Sequence, residues 1–517
     1  MPPAMAAAPP RTAPPARGSG PGLARAASAG AALAAGAALT LAFAPFGLWP
    51  LAVLAPGVLF LLWLGAAPRR AFALGLLFGL GLFGTGTAWV FDAVHGPGGV
   101  GLGLSLLLTG LLVGLLALFP ATCGWAAARL GAGAGQAARL GLLLPALWTL
   151  VEWTRGWFLT GFPWLALGYS QIDAPLAGWA PLLGVYGVSL AVAWSAGLLA
   201  LLARAGPRRV LPWLALALLW GGGAALREVP WTAPAGPPLG VRLIQGNVPQ
   251  ELKWLPSMRE PTLARYEALT REALGRARLV LWPESAAPAF YHQVAGRLEV
   301  LGEEARARGT AVLAGVLELD RDTGRYYNSV ALLGREPRFY RKRHLVPFTE
   351  YLPLEALLGT AVDLLQVPVS SFSKGPADPP PLRVDGLALR VTVCYEDAFG
   401  EELLGALPEA ALLVNVTNDA WFDRTIAPHQ HLQMARMRAL ETGRPLLRAA
   451  NTGITALVGA DGRVLAQAPM HRTVALDGEV APYAGATPYV RWGNAPAVGA
   501  ALLLVAAAFL RRRPASA

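Results

Sequence analysis

"LRVTVCYEDAFG", Leu389–Gly400, ends an apolar, β-branched run on a cysteine and sets Glu396 and Asp397 just behind it. A small hydrophobe closing a buried strand is one reading of Cys394, because free cysteine is among the most buried residue types. A nucleophile presented at the strand's end is the other, and α/β domains place their chemistry at such ends. The choice turns on what the rest of the chain offers a thiol.

Around this stretch, short β-rich runs alternate with helical or loop segments. "VRLIQGNV", "ARLVLWPES", "TAVLAGVLEL" and "NSVALL" precede it; "ALLVNVTN" and "LLRAANTGITALVGADGRVLA" follow. "PTLARYEALTREALGRA" and "HLQMARMRALETG" carry helical periodicity, the second ending on a glycine stop, and "GADGRV" reads as a hairpin turn. Strand, helix and strand in repeated order predict an α/β domain of about 250 residues.

The remainder is too apolar for such a domain. Of 517 residues, 54% are hydrophobic and only 15% charged, and nearly all the acids lie between Arg227 and Asp477. Apolar stretches at 26–43, 46–66, 71–91, 101–128, 140–158, 181–202, 210–226 and 495–510 predict about eight membrane spans, seven of them before the α/β domain. Arginines cluster in every second connection: Arg17 and Arg25, Arg69 and Arg70, Arg129 and Arg139, Arg204, Arg208 and Arg209, and finally Arg511, Arg512 and Arg513. By the positive-inside rule those connections are cytoplasmic, which puts the α/β domain on the opposite face of the membrane.

The expected organisation is a disordered cytoplasmic tail at 1–25, a membrane domain at 26–228 and an α/β domain outside the cytoplasm at 229–491. A last span with a basic cytoplasmic tail, 492–517, completes it. The formal charge of +11 does not point to nucleic acid, because the arginines flank apolar segments; anionic lipid headgroups are the natural partners. Two cysteines, Cys123 in an apolar span and Cys394, make no disulfide framework. Glu152 and Arg155 are charged residues within an apolar stretch and share a helix face. They read either as a structural ion pair or as part of a floor beneath the α/β domain.

Two further polar residues stand where strands end. Glu284 follows "LVLWP", and Lys342 sits in "FYRKRHLVPFTEYLP". A thiol becomes a nucleophile when a cation favours the thiolate or a base takes its proton. Lys342 supplies a cation and Glu284 a carboxyl suited to passing a proton back and forth. "HQH", His429–His431, lacks the companions a metal site needs, and His344 reads as structural.

"WPES", the lysine before "HLVPFTEYLP" and "VCYE" together resemble the nitrilase (carbon–nitrogen hydrolase) superfamily. "EWTRGWFLTGFPWLALGYSQ", "PLLGVYGVS", "QGNVPQELKW", "TNDAWF" and "HLQMARMRALETGRPLLRAANTGITA" resemble, more narrowly, the bacterial apolipoprotein N-acyltransferases. The resemblance implies a four-layer αββα sandwich on a membrane domain. It also implies an inner-membrane enzyme that moves an acyl chain from the sn-1 ester of a phospholipid such as phosphatidylethanolamine to the α-amine of a diacylated apolipoprotein. It assigns Cys394 as nucleophile, Glu284 as base and acid, and Lys342 as oxyanion stabiliser. Glu350, Tyr395 and Glu396 become supporting residues, and Trp254, Trp421 and Phe422 the substrate entrance. No metal or other cofactor enters this chemistry, and nothing in it calls for more than a monomer. A membrane-tethered amidase or nitrilase cleaving a C–N bond would keep the same triad. A transporter would need a polar pathway through the spans, which are almost free of ionisable groups.

Overall fold

A computed structural model describes residues 21–353, 355, 370–422 and 424–511. Most of the Pro/Ala-rich start, with Arg17, lies outside the described residues, as do Arg512 and Arg513. The first helix, Pro21–Leu39, already includes residues assigned above to the tail. Its alanine-rich composition favours helix, and a proline is tolerated at a helix start.

Among the described residues, four helical segments are long and apolar enough to cross a membrane: Gly22–Ala42, Leu102–Leu130, Pro175–Ala205 and Val210–Arg227. Pro68–Gly86 and Trp89–His95 make a fifth if counted as one span bent by 56°. Leu51–Trp63 and Ala495–Leu510 are apolar but shorter. The expected total of about eight is therefore not reached by length and composition. Turn residues are the reason. "APFGLWP" is spent on the bend before Leu51, and the stretch read as 140–158 starts in a π-helical turn and stops as a helix at Arg155. Small residues let the helices that do form approach closely: a Cβ on Gly75 or Gly79 would come within 2.3 Å of Pro120 or 2.6 Å of Ala117.

After the helices come the strands β1 (Thr232–Pro234), β2 (Leu239–Gln245), β3 (Leu279–Leu281), β4 (Ala311–Leu319), β5 (Tyr326–Leu332) and β6 (Arg338–Arg341). They continue with β7 (Leu382–Val384), β8 (Leu387–Val393), β9 (Leu412–Thr417), β10 (Leu446–Ala450), β11 (Ala456–Val458), β12 (Val464–Gln467), β13 (Val474–Val480) and β14 (Tyr483–Gly485). One six-stranded sheet runs β13-β2-β3-β4-β5-β6, another β12-β11-β10-β9-β8-β7, and β1 pairs with β14.

The sheets face each other. Val241, Leu243, Leu279, Leu281 and Leu313 of the first meet Leu389, Val391, Val393, Val414 and Val416 of the second in one core. The outward residues are buried as well: Ile244, Val280 and Val312 pack under Leu263, Tyr266, Leu298 and Leu301 of helices Pro256–Arg271 and Tyr291–Ala307. Leu413 and Leu446 pack under Ala435 and Ala439 of helix Ala427–Thr442. Burial on both faces is why these strands read as unbroken apolar runs. The expected αββα sandwich is present. Gly443 ends the last helix at φ +61°, a left-handed cap that glycine adopts without strain.

Candidate active site

Cys394 sits where β8 gives way to a short 3-10 turn, and its backbone is left-handed, with φ +51°. That conformation is unusual for a residue with a Cβ. Two side chains hold it there: Asn415 Nδ2 and His431 Nε2 lie 3.3 and 3.2 Å from the Cys394 carbonyl oxygen. The cysteine is only partly buried, unlike Cys123, which packs inside the helices. Its thiol holds its proton at rest, because burial, and then the Glu284 charge, push its pKa up against the pull of Lys342. A nucleophilic role for this thiol would therefore call for a base to take its proton.

Glu284 follows β3 and is nearly enclosed. Its Oε1 accepts from Asn328 Nδ2 at 2.7 Å and its Oε2 from the Asn418 backbone N–H at 2.9 Å. Lys342, one residue past β6, is fully buried, with Nζ 2.9 Å from the Glu350 carboxylate and 3.6 Å from Glu284 Oε1. Burial works against its charge, but Glu350 and Glu284 outweigh that and hold the ammonium well above its usual range. It stays a cation. Glu350 accepts further from Asn328 Nδ2 at 3.0 Å and from the Val346 N–H at 2.7 Å. Asn328 therefore bridges both carboxylates with one amide. Strand periodicity alone marks it only as a residue within "NSVALL".

Lys253, beside Trp254 in "ELKW", is likewise invisible to pattern reading. It is buried, donates to the Glu284 carbonyl oxygen at 3.1 Å, and is lowered by burial to about 8, with Glu284 and Cys394 pulling the other way. The site therefore holds two lysines and two glutamates around one thiol.

The supporting residues divide by position. Glu396 points away from the thiol and accepts four donors: the N–H groups of Arg343 (2.7 Å), His344 (3.1 Å) and Val393 (2.7 Å), and the Tyr340 hydroxyl (2.8 Å). It ties the ends of β6 and β8 together. Tyr395 reaches out of the domain: its hydroxyl donates to the Gly161 carbonyl at 3.0 Å, and its ring stacks near Trp164. Trp254 is about half exposed. Trp421 and Phe422 are partly buried, and Phe422 packs edge-on against Trp89 at 4.9 Å.

Gly161 and Trp164 belong to the loop after helix Leu144–Arg155, where Glu152 and Arg155 both turn to that loop. Glu152 accepts from Trp148 Nε1 (2.8 Å) and the Leu167 N–H (3.0 Å), while Arg155 donates to the carbonyls of Phe162 (2.6 Å) and Trp164 (2.5 Å). Together they shape the surface on which Tyr395 rests. Among the described residues, no group of His, Cys, Asp and Glu forms a metal site.

Residues 35–198 match the apolipoprotein N-acyltransferase N-terminal domain, and residues 240–487 match the carbon-nitrogen hydrolase family. The apolipoprotein N-acyltransferase of Methylococcus capsulatus is 48% identical over 91% of this chain and 94% of its own length. That of Nitrosomonas europaea is 46% identical over 87% and 91%, and that of Vibrio cholerae 41% over 92% and 95%. With apolar helices, a carbon–nitrogen hydrolase sandwich and this kinship running end to end, the chain belongs to the apolipoprotein N-acyltransferase family.

Proposed function

We propose that this protein transfers an acyl chain from the sn-1 position of a phospholipid, through a thioester on Cys394, to the α-amino group of a lipoprotein's N-terminal diacylglyceryl-cysteine. Glu284 takes the thiol proton as Sγ attacks the ester carbonyl, and Lys342 faces the developing oxyanion. The ester C–O bond breaks, and Glu284 returns the proton to the departing lysophospholipid. The lipoprotein amine then attacks the thioester, the C–S bond breaks, and the amine's proton passes by way of Glu284 back to sulfur. Glu350 holds Lys342 as a cation throughout, and Trp254, Trp421 and Phe422 border the path by which the lipids arrive.

The observation that carries this reading is the partly open, left-handed Cys394 within electrostatic reach of Glu284 and Lys342, on the side of the domain joined to the apolar helices. Both substrates are held in a bilayer, so a site facing it meets them at high local concentration. We further propose that residues 26–228 form the membrane domain, with the shorter helices completing the bundle. Residues 229–491 then form the catalytic domain on the periplasmic side of the inner membrane, and 492–517 the last span and basic tail. Phosphatidylethanolamine is the expected donor, and a single chain suffices. Family membership favours this over an amidase cleaving a C–N bond.

Purified protein given isotope-labelled phospholipid and a diacylated lipopeptide should show, by mass spectrometry, a labelled thioester on Cys394 and a labelled amide on the peptide. Free fatty acid as the main product would favour the hydrolase, and amide formation by Cys394→Ala would refute the mechanism.

A further inference from the structure

Directly behind the nucleophile lies a buried charged cluster that the acyl-transfer steps do not use. His431, on helix Ala427–Thr442, is 2% exposed; Asp397 and Asp419 are 2% and 0% exposed, and Arg448 of β10 is 0% exposed. His431 Nδ1 lies 3.0 Å from Asp419 Oδ1. Its Nε2 lies 2.9 Å from Asp397 Oδ1 and 3.2 Å from the Cys394 carbonyl oxygen. Arg448 reaches Asp397 Oδ2 at 3.1 Å, Asp419 Oδ2 at 3.2 Å and Asn415 Oδ1 at 2.7 Å.

Two buried carboxylates need two cations, and Arg448 is only one. Doubly protonated His431 supplies the second and donates at both ends. Burial and Arg448 oppose that charge, yet Asp397 and Asp419 lift the ring to about 9. Arg448 Nη2 also lies 2.9 Å from His431 Nδ1, a meeting of two donors made bearable by the carboxylates on either side.

The ring's second contact is the one with consequence for the reaction. A cysteine held at φ +51° needs its peptide group fixed, and among the described residues only His431 and Asn415 reach that carbonyl through side chains. Asn415 is itself oriented by Arg448, inside the same cluster. The neighbouring residue faces the other way. Gln430 Oε1 accepts from the indoles of Trp89 (3.1 Å) and Trp164 (2.7 Å), and the Trp164 ring lies 5.7 Å from the His431 ring. Consecutive residues of one helix thus grip the apolar helices and the nucleophile's backbone.

We propose that His431 is a positioning residue for the acyl transfer: clamped between Asp397 and Asp419, it holds the Cys394 carbonyl and so sets the direction in which the thiol attacks. This rests on Cys394 being the nucleophile.

The test compares three variants of the full-length protein in detergent with phospholipid and a fluorescent diacylated lipopeptide. His431→Gln keeps an N–H donor for the carbonyl. His431→Leu removes it; both neutral replacements strand a carboxylate equally, so they are compared with each other, and the third variant combines His431→Leu with Asp397→Asn to leave the balanced pair Asp419–Arg448. The double variant should lose ~10- to 100-fold in kcat with KM for both lipids unchanged, as expected when a reacting atom is misaimed while binding is intact. His431→Gln should keep kcat well above that of His431→Leu, from which it differs in the N–H donor and not in charge. Cys394→Ala serves as the control: if it still forms the amide, the nucleophile assignment falls. If Cys394→Ala is inactive while the folded double variant keeps its full kcat, or loses only KM, the positioning role alone is overturned. Equal losses in His431→Gln and His431→Leu would overturn it too, because carbonyl contact would then not be what matters.

Discussion

Glu396 stands two residues after Cys394, the proposed nucleophile, yet the structure makes it a tie between strands, and Glu396→Gln tests that. Its four donors and absence of any donated bond require an ionised acceptor, although burial raises its pKa against the pull of Lys342 and those donors. An amide has one oxygen to offer. Placed toward Arg343 and His344, it leaves the NH2 group facing the Val393 N–H and the Tyr340 hydroxyl. The hydroxyl can turn and accept, but the Val393 N–H cannot. That orphaned buried donor costs about 1–3 kcal/mol. The surviving bonds drop from charge-assisted to neutral, roughly halving in strength, for a total near 3–5 kcal/mol. At about 2–4 °C per kcal/mol for a domain of this size, the melting temperature should fall by roughly 10 °C. Activity should fall in step with folding, and Cys394 alkylation by iodoacetamide should rise as the end of β8 loosens. Glu284→Gln should abolish lipopeptide acylation with a smaller loss of stability, since it strands one buried donor, Asn328 Nδ2 or the Asn418 N–H, and weakens fewer bonds. Its melting temperature should still fall by more than the margin of about 2 °C that marks a structurally neutral change. Melting of Glu396→Gln within that narrow margin of the parent, with acylation lost, would refute the structural role and return Glu396 to the chemistry.

Stability should also follow pH through the cluster behind Cys394. His431 is raised to about 9, so its contribution is complete below the ordinary imidazole range and drains away as pH rises through about 9. Asp419, where Arg448 and His431 overcome burial, is lowered to about 2, so its contribution is complete above the usual carboxylate range and is lost as pH falls through about 2. Melting curves across pH should show the alkaline loss in the parent and not in His431→Gln. Lys253→Met keeps the length of the side chain and removes its charge; we expect at least ~10-fold lower kcat, because a buried cation facing Glu284 and Cys394 disappears, with single-turnover thioester formation as the measurement. Gln430→Leu strips the acceptor from the buried Trp164 indole N–H, while Trp89 keeps the Gly86 carbonyl at 3.1 Å; this should cost about 1–3 kcal/mol in thermal stability and be visible as a shift in tryptophan emission.

The αββα sandwich was legible because its strands are buried on both faces: "LRVTVC" and "ALLVNVT" are apolar at nearly every position. Glu284, Lys342 and Cys394 stood out because each closes such a run with a group that strand packing alone does not explain. Asn328 did not, since it lies inside β5, and its two carboxylate partners are 44 and 22 residues away in the chain. Lys253 was overshadowed by its aromatic neighbour, although an ammonium in an otherwise buried turn is itself a signal. His431 was noticed only as a metal ligand to be dismissed; its partners, Asp397 and Asp419, become neighbours only when β8 and β9 pair in parallel. Helix lengths failed for a local reason. Hydropathy counts residues, but Pro50, the π turn at Arg139–Leu143 and the unwound loop after Arg155 decide how many of them are helical.

In the proposed mechanism, what separates a transferase from a hydrolase is the fate of the thioester, since an amine and water would compete for the same carbonyl. The contacts joining the sandwich to the apolar helices bear on that competition. Tyr395, next to the nucleophile, is tied to the Gly161 carbonyl; Gln430, next to His431, is tied to Trp89 and Trp164; Phe422 packs on Trp89. Each junction sits within a residue or two of a group around the thiol, or in the loop after β9 that also carries Asp419. On the proposed mechanism, a site closed on that side by indoles and apolar helices would admit molecules that arrive through lipid and disfavour bulk water. Tyr395→Phe keeps the ring and removes the tie to Gly161. If the junction protects the thioester, this variant should form the thioester at nearly the parent rate but divert a larger share of it to free fatty acid. An unchanged ratio of amide to fatty acid would mean that water is excluded by the bound lipids themselves and not by this contact.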